Sequence, residues 1–142
     1  MKLLGLDYGE KRIGVATGTS SGFSTPLCVV VNNAGALSAI IKIISEQRVN
    51  KVVLGLPLHK DGTENANCVV IRELGARIER ESGVSVDYHN ELLSSWEAEE
   101  YIKEHMGVKN RDRIKEMLDK VAASMILNDY VKEKHGKNCN NG

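Results

Sequence analysis

The apolar positions of this chain change period several times. Two short apolar runs, at residues 3–8 and 13–17, are split by Gly9-Glu10-Lys11-Arg12. Runs of this length joined by a few turn residues predict a β-hairpin. A small, polar stretch at 19–24 predicts a loop. After Pro26, a third run at 27–31 is rich in β-branched residues and predicts a strand completing an antiparallel meander. Ala36, Ile40, Ile43 and Ile44 then recur at helical spacing, predicting a helix over 37–47. Residues 51–56 predict a fourth strand, ending at Gly55-Leu56-Pro57 and followed by a polar loop at 59–63. A helix is predicted over 65–81, with Val70, Leu74 and Ile78 on one face and Gly83 at its C-terminal cap. Residues 84–88 alternate and predict a fifth strand. Ser94-Ser95-Trp96-Glu97 fits a capping box, which starts a helix at Ser94 or Ser95 running to about 105, with Trp96 as a core anchor. A basic stretch over 109–115 predicts a loop leading into a last helix that ends near 132.

The predicted order is βββ-α-β-α-β-α-α, an α/β class. It implies a central five-stranded mixed sheet, an antiparallel meander continued by parallel strands with right-handed crossovers, flanked by helices. The length, 142 residues, fits one domain. That domain is expected over 1–134, with a disordered tail over 135–142.

Composition narrows the function classes. Lys plus Arg equal Asp plus Glu at 19 each, so no global electrostatic footprint for nucleic acid exists. A polyanion would be held by a local basic patch or through metal ions. Aromatics at 4% argue against a base-stacking platform. The three cysteines, Cys28, Cys68 and Cys139, are widely spaced, which argues against a disulfide framework or a zinc site. Reduced cytoplasm is the expected compartment, and Cys28 and Cys68 read as core residues. No signal peptide and no run of the ~18–20 apolar residues needed to span a bilayer is expected.

Three acidic positions stand out. Asp7 lies inside the first apolar run, where Asp is depleted and an unpaired buried carboxylate is costly. Alternation puts Leu3, Gly5 and Asp7 on one face, and Gly5 leaves space for a closely approaching ligand or element. Two accounts fit: a half-exposed edge strand with an incidental Asp, or a site. Glu91 follows the predicted fifth strand, where ligands collect at the carboxyl ends of parallel strands; alone it also reads as a solvated loop residue. His89 and Asn90 are similar. Asp119 sits at helical spacing from Ala122, Ala123 and Ile126, a face small enough to lie close to another layer. It also fits a boundary residue paired with Lys115 or Lys120. If the three converge, their mutual repulsion is relieved by a divalent cation. Oxygen-only donors favour Mg²⁺ or Mn²⁺, and two such ions suit phosphodiester hydrolysis.

The blocks LDYGEKRIGVATG, VVLGLPLHKDGTEN, NELLSSWEA and MLDKVAASMIL, in this order and spacing, resemble the YqgF/RuvX family of ribonuclease H-like proteins over all but the tail. The resemblance implies a ribonuclease H-like fold and a metal-dependent nuclease whose acidic residues fall on Asp7, Glu91 and Asp119. It implies processing of the 5′ end of precursor 16S rRNA, with Holliday junction resolution on DNA by a dimer as the alternative. The family usually has Asp-Glu-Arg where this chain has Asn90-Glu91-Leu92, so one arginine contact is missing.

Substrate contacts are expected at Arg12, Thr63, Lys109, Arg111 and Arg113. Thr63 fits either a phosphate contact or the N-cap of the following helix, and the basic residues either a backbone-binding patch or a solvated face. The expected partner is nucleic acid, structured RNA or branched DNA, bound by a monomer or homodimer. A non-catalytic RNA-binding factor is a further reading. A nucleotide site of the actin or hexokinase type would need two such domains, and this length has room for one.

Overall fold

Alternation builds the first hairpin as the sequence predicts. β1 (Lys2–Tyr8) and β2 (Arg12–Thr19) pair antiparallel, with Leu4 opposite Thr17, Leu6 opposite Val15 and Asp7 opposite Gly14. The computed structural model describes residues 1–58, 61, 63–91, 103–104, 107 and 110–141; at 91, 111, 112, 115, 116, 119, 120 and 135–141 it describes the backbone. The helix predicted from Ser94 or Ser95, with Trp96 as its anchor, lies outside these residues.

β3 (Ser24–Val31) pairs antiparallel with β2, with a register shift between Val15 and Ala16. It begins before the apolar run at 27 and takes in Pro26, which an edge strand tolerates because one edge needs no ladder donor. β4 (Lys51–Pro57) runs parallel to β1, and β5 (Ser85–Glu91) parallel to β4. The strand order is β3-β2-β1-β4-β5. β1 is therefore the central strand, which rules out the edge-strand account of Asp7.

Helices cover both faces of the sheet. α1 (Ala36–Glu46) and α2 (Asn67–Ser82) lie on the face carrying Leu4, Leu6, Ile13, Val52 and Leu54, all buried. α1 buries Ala36, Ile40 and Ile44, the predicted stripe. α2 buries Cys68, Ile71, Gly75 and Ile78; of the predicted face, Ile78 is buried and Leu74 packs on the core, while Val70 is 42% exposed. Gly75 marks a close approach of α2 to β5, since a Cβ there would lie 2.2 Å from the Tyr88 hydroxyl oxygen. Gly83 ends α2 in the left-handed conformation (φ 73°), its N–H bonded to the Glu79 carbonyl, as predicted.

α3 (Arg111–Asn141) covers the opposite face. Ala123, Ile126, Leu127, Tyr130 and Val131 pack there on Leu3, Ala16 and Val53. The helix starts within the basic stretch predicted as a loop and continues past 132 to Asn141, through positions assigned to the tail. Among the described residues, no helix is long and apolar enough to cross a membrane.

Candidate metal centre

Asp7 stands at the carboxyl end of the central strand, half-buried, on the α3 face. Its cross-strand neighbour on β2 is Gly14. On the other side, Leu6 pairs with Leu54, so Gly55 is next in step on β4. Both flanking glycines are buried. Of the two accounts of the space at Gly5, a ligand or a packed element, the contacts select the element. A Cβ on Gly5 would meet Leu127 Cγ at 2.6 Å and the Ala123 carbonyl oxygen at 2.8 Å, so Gly5 admits α3. A Cβ on Gly9 would lie 2.5 Å from the Arg12 carbonyl oxygen, so Gly9 serves the turn.

β5 is longer than predicted, and Glu91 is its last residue, paired with Pro57. Its position has the parity of Asp87 and His89 on β5. Both of those meet α3: Asp87 accepts a hydrogen bond from Tyr130, and His89 pairs with Glu133 at 3.2 Å. Position 91 thus lies on the α3 side, at the same end of the sheet as Asp7.

α3 runs antiparallel to β1, since Val131 and Tyr130 lie beside Leu3 while Ala123 lies over Gly5. Position 119 is one turn before Ala123, about 6 Å along the helix. From Gly5 to Asp7 the strand advances about 6.6 Å. The backbone therefore carries position 119 to the level of Asp7. The three acidic positions come to one end of the sheet on one face. Among the described residues, no three His, Cys, Asp or Glu side chains form a metal-binding group; Glu91 and Asp119 are described there as backbone.

The remaining candidates divide. Arg12 is the exposed first residue of β2 and has the parity of Gly14, which places it on the Asp7 face at the same end. Arg111 begins α3 and Arg113, exposed, follows in its first turn; Lys109 lies outside the described residues. Thr63 is not an N-cap, because α2 begins at Asn67 after Ala66. Its hydroxyl and N–H both donate to Asp61 Oδ1, at 2.6 and 2.9 Å. The Thr63 hydroxyl holds the exposed Asp61 carboxyl below its ordinary range, keeping a negative charge beside the position expected to receive phosphate.

A polar seam that the sequence reading missed ties α3 to the sheet. On the β5 flank, Tyr130 Oη donates to Asp87 Oδ2 at 2.7 Å, and Lys134 Nζ lies 3.8 Å from the same oxygen. Burial pushes the Asp87 carboxyl up, but the Tyr130 hydrogen bond, the Tyr88 N–H and the lysines Lys134 and Lys51 outweigh it, leaving it below the usual range. Burial and the bond to Asp87 hold the Tyr130 hydroxyl well above the usual phenol range, so it stays a donor. On the β3 flank, Ser24 Oγ lies 2.5 Å from Asn128 Oδ1 and 2.9 Å from Ser124 Oγ. The available signal was the run Gly14, Ala16, Gly18, small at every second position of β2, which marks a face laid against a helix.

Comparison with known proteins agrees with this architecture. A family model described as RuvX, Holliday junction resolvase, matches residues 1–133. A protein of Syntrophus aciditrophicus (strain SB) named "Putative pre-16S rRNA nuclease" is 37% identical over 137 residues, covering 92% of this chain and 88% of the relative. One of the same name from Burkholderia ambifaria (strain MC40-6) is 39% identical over 132 residues, covering 91% and 87%. The structure of RuvC from Thermus thermophilus superposes with a TM-score of 0.60 at 16% identity, covering 96% of this chain and 97% of that one, a likeness of fold. The fold is the ribonuclease H-like one expected from the sequence, and the chain belongs to the RuvX family.

Proposed function

We propose that this chain is a divalent-metal-dependent nuclease that processes the 5′ end of precursor 16S rRNA, with Asp7, Glu91 and Asp119 as metal ligands. Membership of a nuclease family makes it a phosphodiester hydrolase and nucleic acid its substrate class. The observation that carries the site is the backbone convergence: the ends of β1 and β5 and the start of α3 bring three acidic positions to one end of the sheet. The rRNA substrate rests on the names of the relatives.

The residues fit the group. Asp7 is held opposite Gly14 on β2, one residue past the last β1 residue paired with β4, and is half-buried. The donor set is carboxylate oxygen, which suits Mg²⁺ or Mn²⁺. Bound there, two such ions would supply Lewis acidity toward the phosphodiester and a nucleophilic water near neutral pH. Arg12, on the Asp7 face, would orient the phosphate. Lys109, Arg111 and Arg113 would hold the flanking backbone, and Thr63 would line the neighbouring loop. A neutral chain gripping RNA through so few cations should bind with a shallow salt dependence. Leu92, in place of the family's usual arginine, leaves the grip to these residues.

The family description favours a second reading: resolution of four-way DNA junctions, in which paired cuts need a homodimer. A cleavage assay in Mn²⁺, offering precursor 16S rRNA 5′ ends and four-way junctions side by side, separates the two. The proposal expects trimming of the rRNA end by a monomer or dimer. Cleavage of junctions alone would replace it with the second reading. RNA binding with no cleavage at any metal concentration would reduce the chain to a binding factor.

A further inference from the structure

Apolar packing fixes how closely α3 lies on the sheet, but it is non-directional. Beneath the helix the sheet offers Gly5, Ala16 and Gly18, a smooth floor on which a helix could roll. Hydrogen bonds on opposite flanks prevent that: Ser24 with Ser124 and Asn128 toward β3, and Asp87 with Tyr130 toward β5. Tyr130 is only 7% exposed, and Lys134 stacks over its ring at 5.5 Å.

The Asp87–Tyr130 pair has a special place in this frame. Asp87 and Glu91 share one strand and one parity, about 13 Å apart along it. Positions 130 and 119 are eleven residues apart, close to three full turns and about 16 Å, so they share one line along the helix. α3 runs antiparallel to β5. The Asp87–Tyr130 bond is therefore the lower rung of a ladder whose upper rung is positions 91 and 119.

We propose that Tyr130 is a positioning residue for the metal centre: its hydrogen bond to Asp87 fixes the rotation of α3 and so sets where Asp119 stands relative to Asp7 and Glu91. The inference rests on the metal-centre reading above. A roll of about 20° would displace a group about 6 Å from the helix axis by roughly 2 Å, as much as a whole Mg²⁺–oxygen bond.

The test is Mn²⁺ binding by calorimetry, with half-saturating Mn²⁺ for cleavage and Tm measured on the same preparations. Tyr130→Phe keeps the ring and removes the bond. It should weaken Mn²⁺ binding about tenfold, the size of effect seen when supports of metal ligands are removed, and excess Mn²⁺ should restore most of the turnover. Asp87→Ala breaks the same bond from the strand and should weaken binding equally, whereas Asp87→Asn keeps an acceptor oxygen and should bind within about threefold of the parent. Gly83→Ala, strained at the end of α2, should lower Tm and leave Mn²⁺ affinity unchanged. Tyr130→Phe or Asp87→Ala binding Mn²⁺ like the parent would overturn the inference while leaving the metal centre standing. A parent protein that binds no Mn²⁺ would overturn both.

Discussion

Replacing Gly5 by alanine puts a methyl group where α3 already lies. The new Cβ would stand 2.6 Å from Leu127 Cγ and 2.8 Å from the Ala123 carbonyl oxygen. Ordinary carbon contacts fall at about 3.5–4.0 Å, so the overlap is roughly 1 Å. One obstacle is helix backbone, and the other belongs to a side chain only 1% exposed, so neither can swing away. The helix has to lift. Overpacking of this kind costs about 1–3 kcal/mol, offset by about 0.5–1 kcal/mol for removing a mid-strand glycine. A net loss of about 1–2 kcal/mol in a chain of this length lowers Tm by roughly 3–6 °C. The lift also moves position 119 away from Asp7, and a displacement of about 1 Å at a catalytic group costs on the order of 100-fold in turnover. Thermal denaturation and Mn²⁺-dependent cleavage on one preparation check both. An unchanged Tm with full cleavage would refute the claim that Gly5 is kept for the approach of α3.

Ser24→Ala removes the β3 anchor of α3 and should cost about 1–2 kcal/mol, read as a lower urea midpoint at constant m-value; an unshifted midpoint would show that the anchor is idle. Folded Tyr130 holds its proton more tightly than the unfolded chain does, so its contribution is complete below the unfolded phenol value near 10 and is lost as pH rises toward the folded one. Alkaline unfolding should therefore be steeper in the parent than in Tyr130→Phe. Asp87 has the opposite sign: its folded carboxyl is below the ordinary 3.8, so its contribution is present above about pH 4 and fades as pH falls further. Urea titrations across pH 2–5 should show a smaller acid loss in Asp87→Asn. Mn²⁺ at about 100 times its dissociation constant should stabilise the fold by about 2.7 kcal/mol, and EDTA should abolish both this gain and cleavage. A Tm indifferent to Mn²⁺ and EDTA would contradict a site bound in the folded state.

The sheet was legible where one face is apolar and the period is regular. Leu4, Leu6 and the β-branched runs marked β1 to β4, and β1–β2 and the parallel pairs followed from connection lengths. β5 was cut short at Tyr88 because Asp87 and His89, polar members of its alternation, face a helix seam that no local pattern announces. On α2 the periodicity found Leu74 and Ile78 but overvalued Val70, because Cys68, Ile71 and Gly75 complete the inner face. Thr63 was read as a cap from its residue type, but Asp61 captures it two residues earlier. Asp7 stood out as a charge inside an apolar run and Asp119 as one beside an alanine face, whereas Glu91 alone read as a solvated loop residue. The Tyr130–Asp87 bond spans 43 residues and joins a helix to a strand, so only the three-dimensional path of α3 reveals it.

The central claim is that Asp7 holds catalytic metal. Its most direct test is Mn²⁺-dependent cleavage of precursor 16S rRNA by Asp7→Asn, with calorimetric Mn²⁺ binding and circular dichroism on the same samples. The account predicts a folded protein whose Mn²⁺ binding is weakened and whose cleavage is lost. Cleavage equal to that of the parent would contradict it.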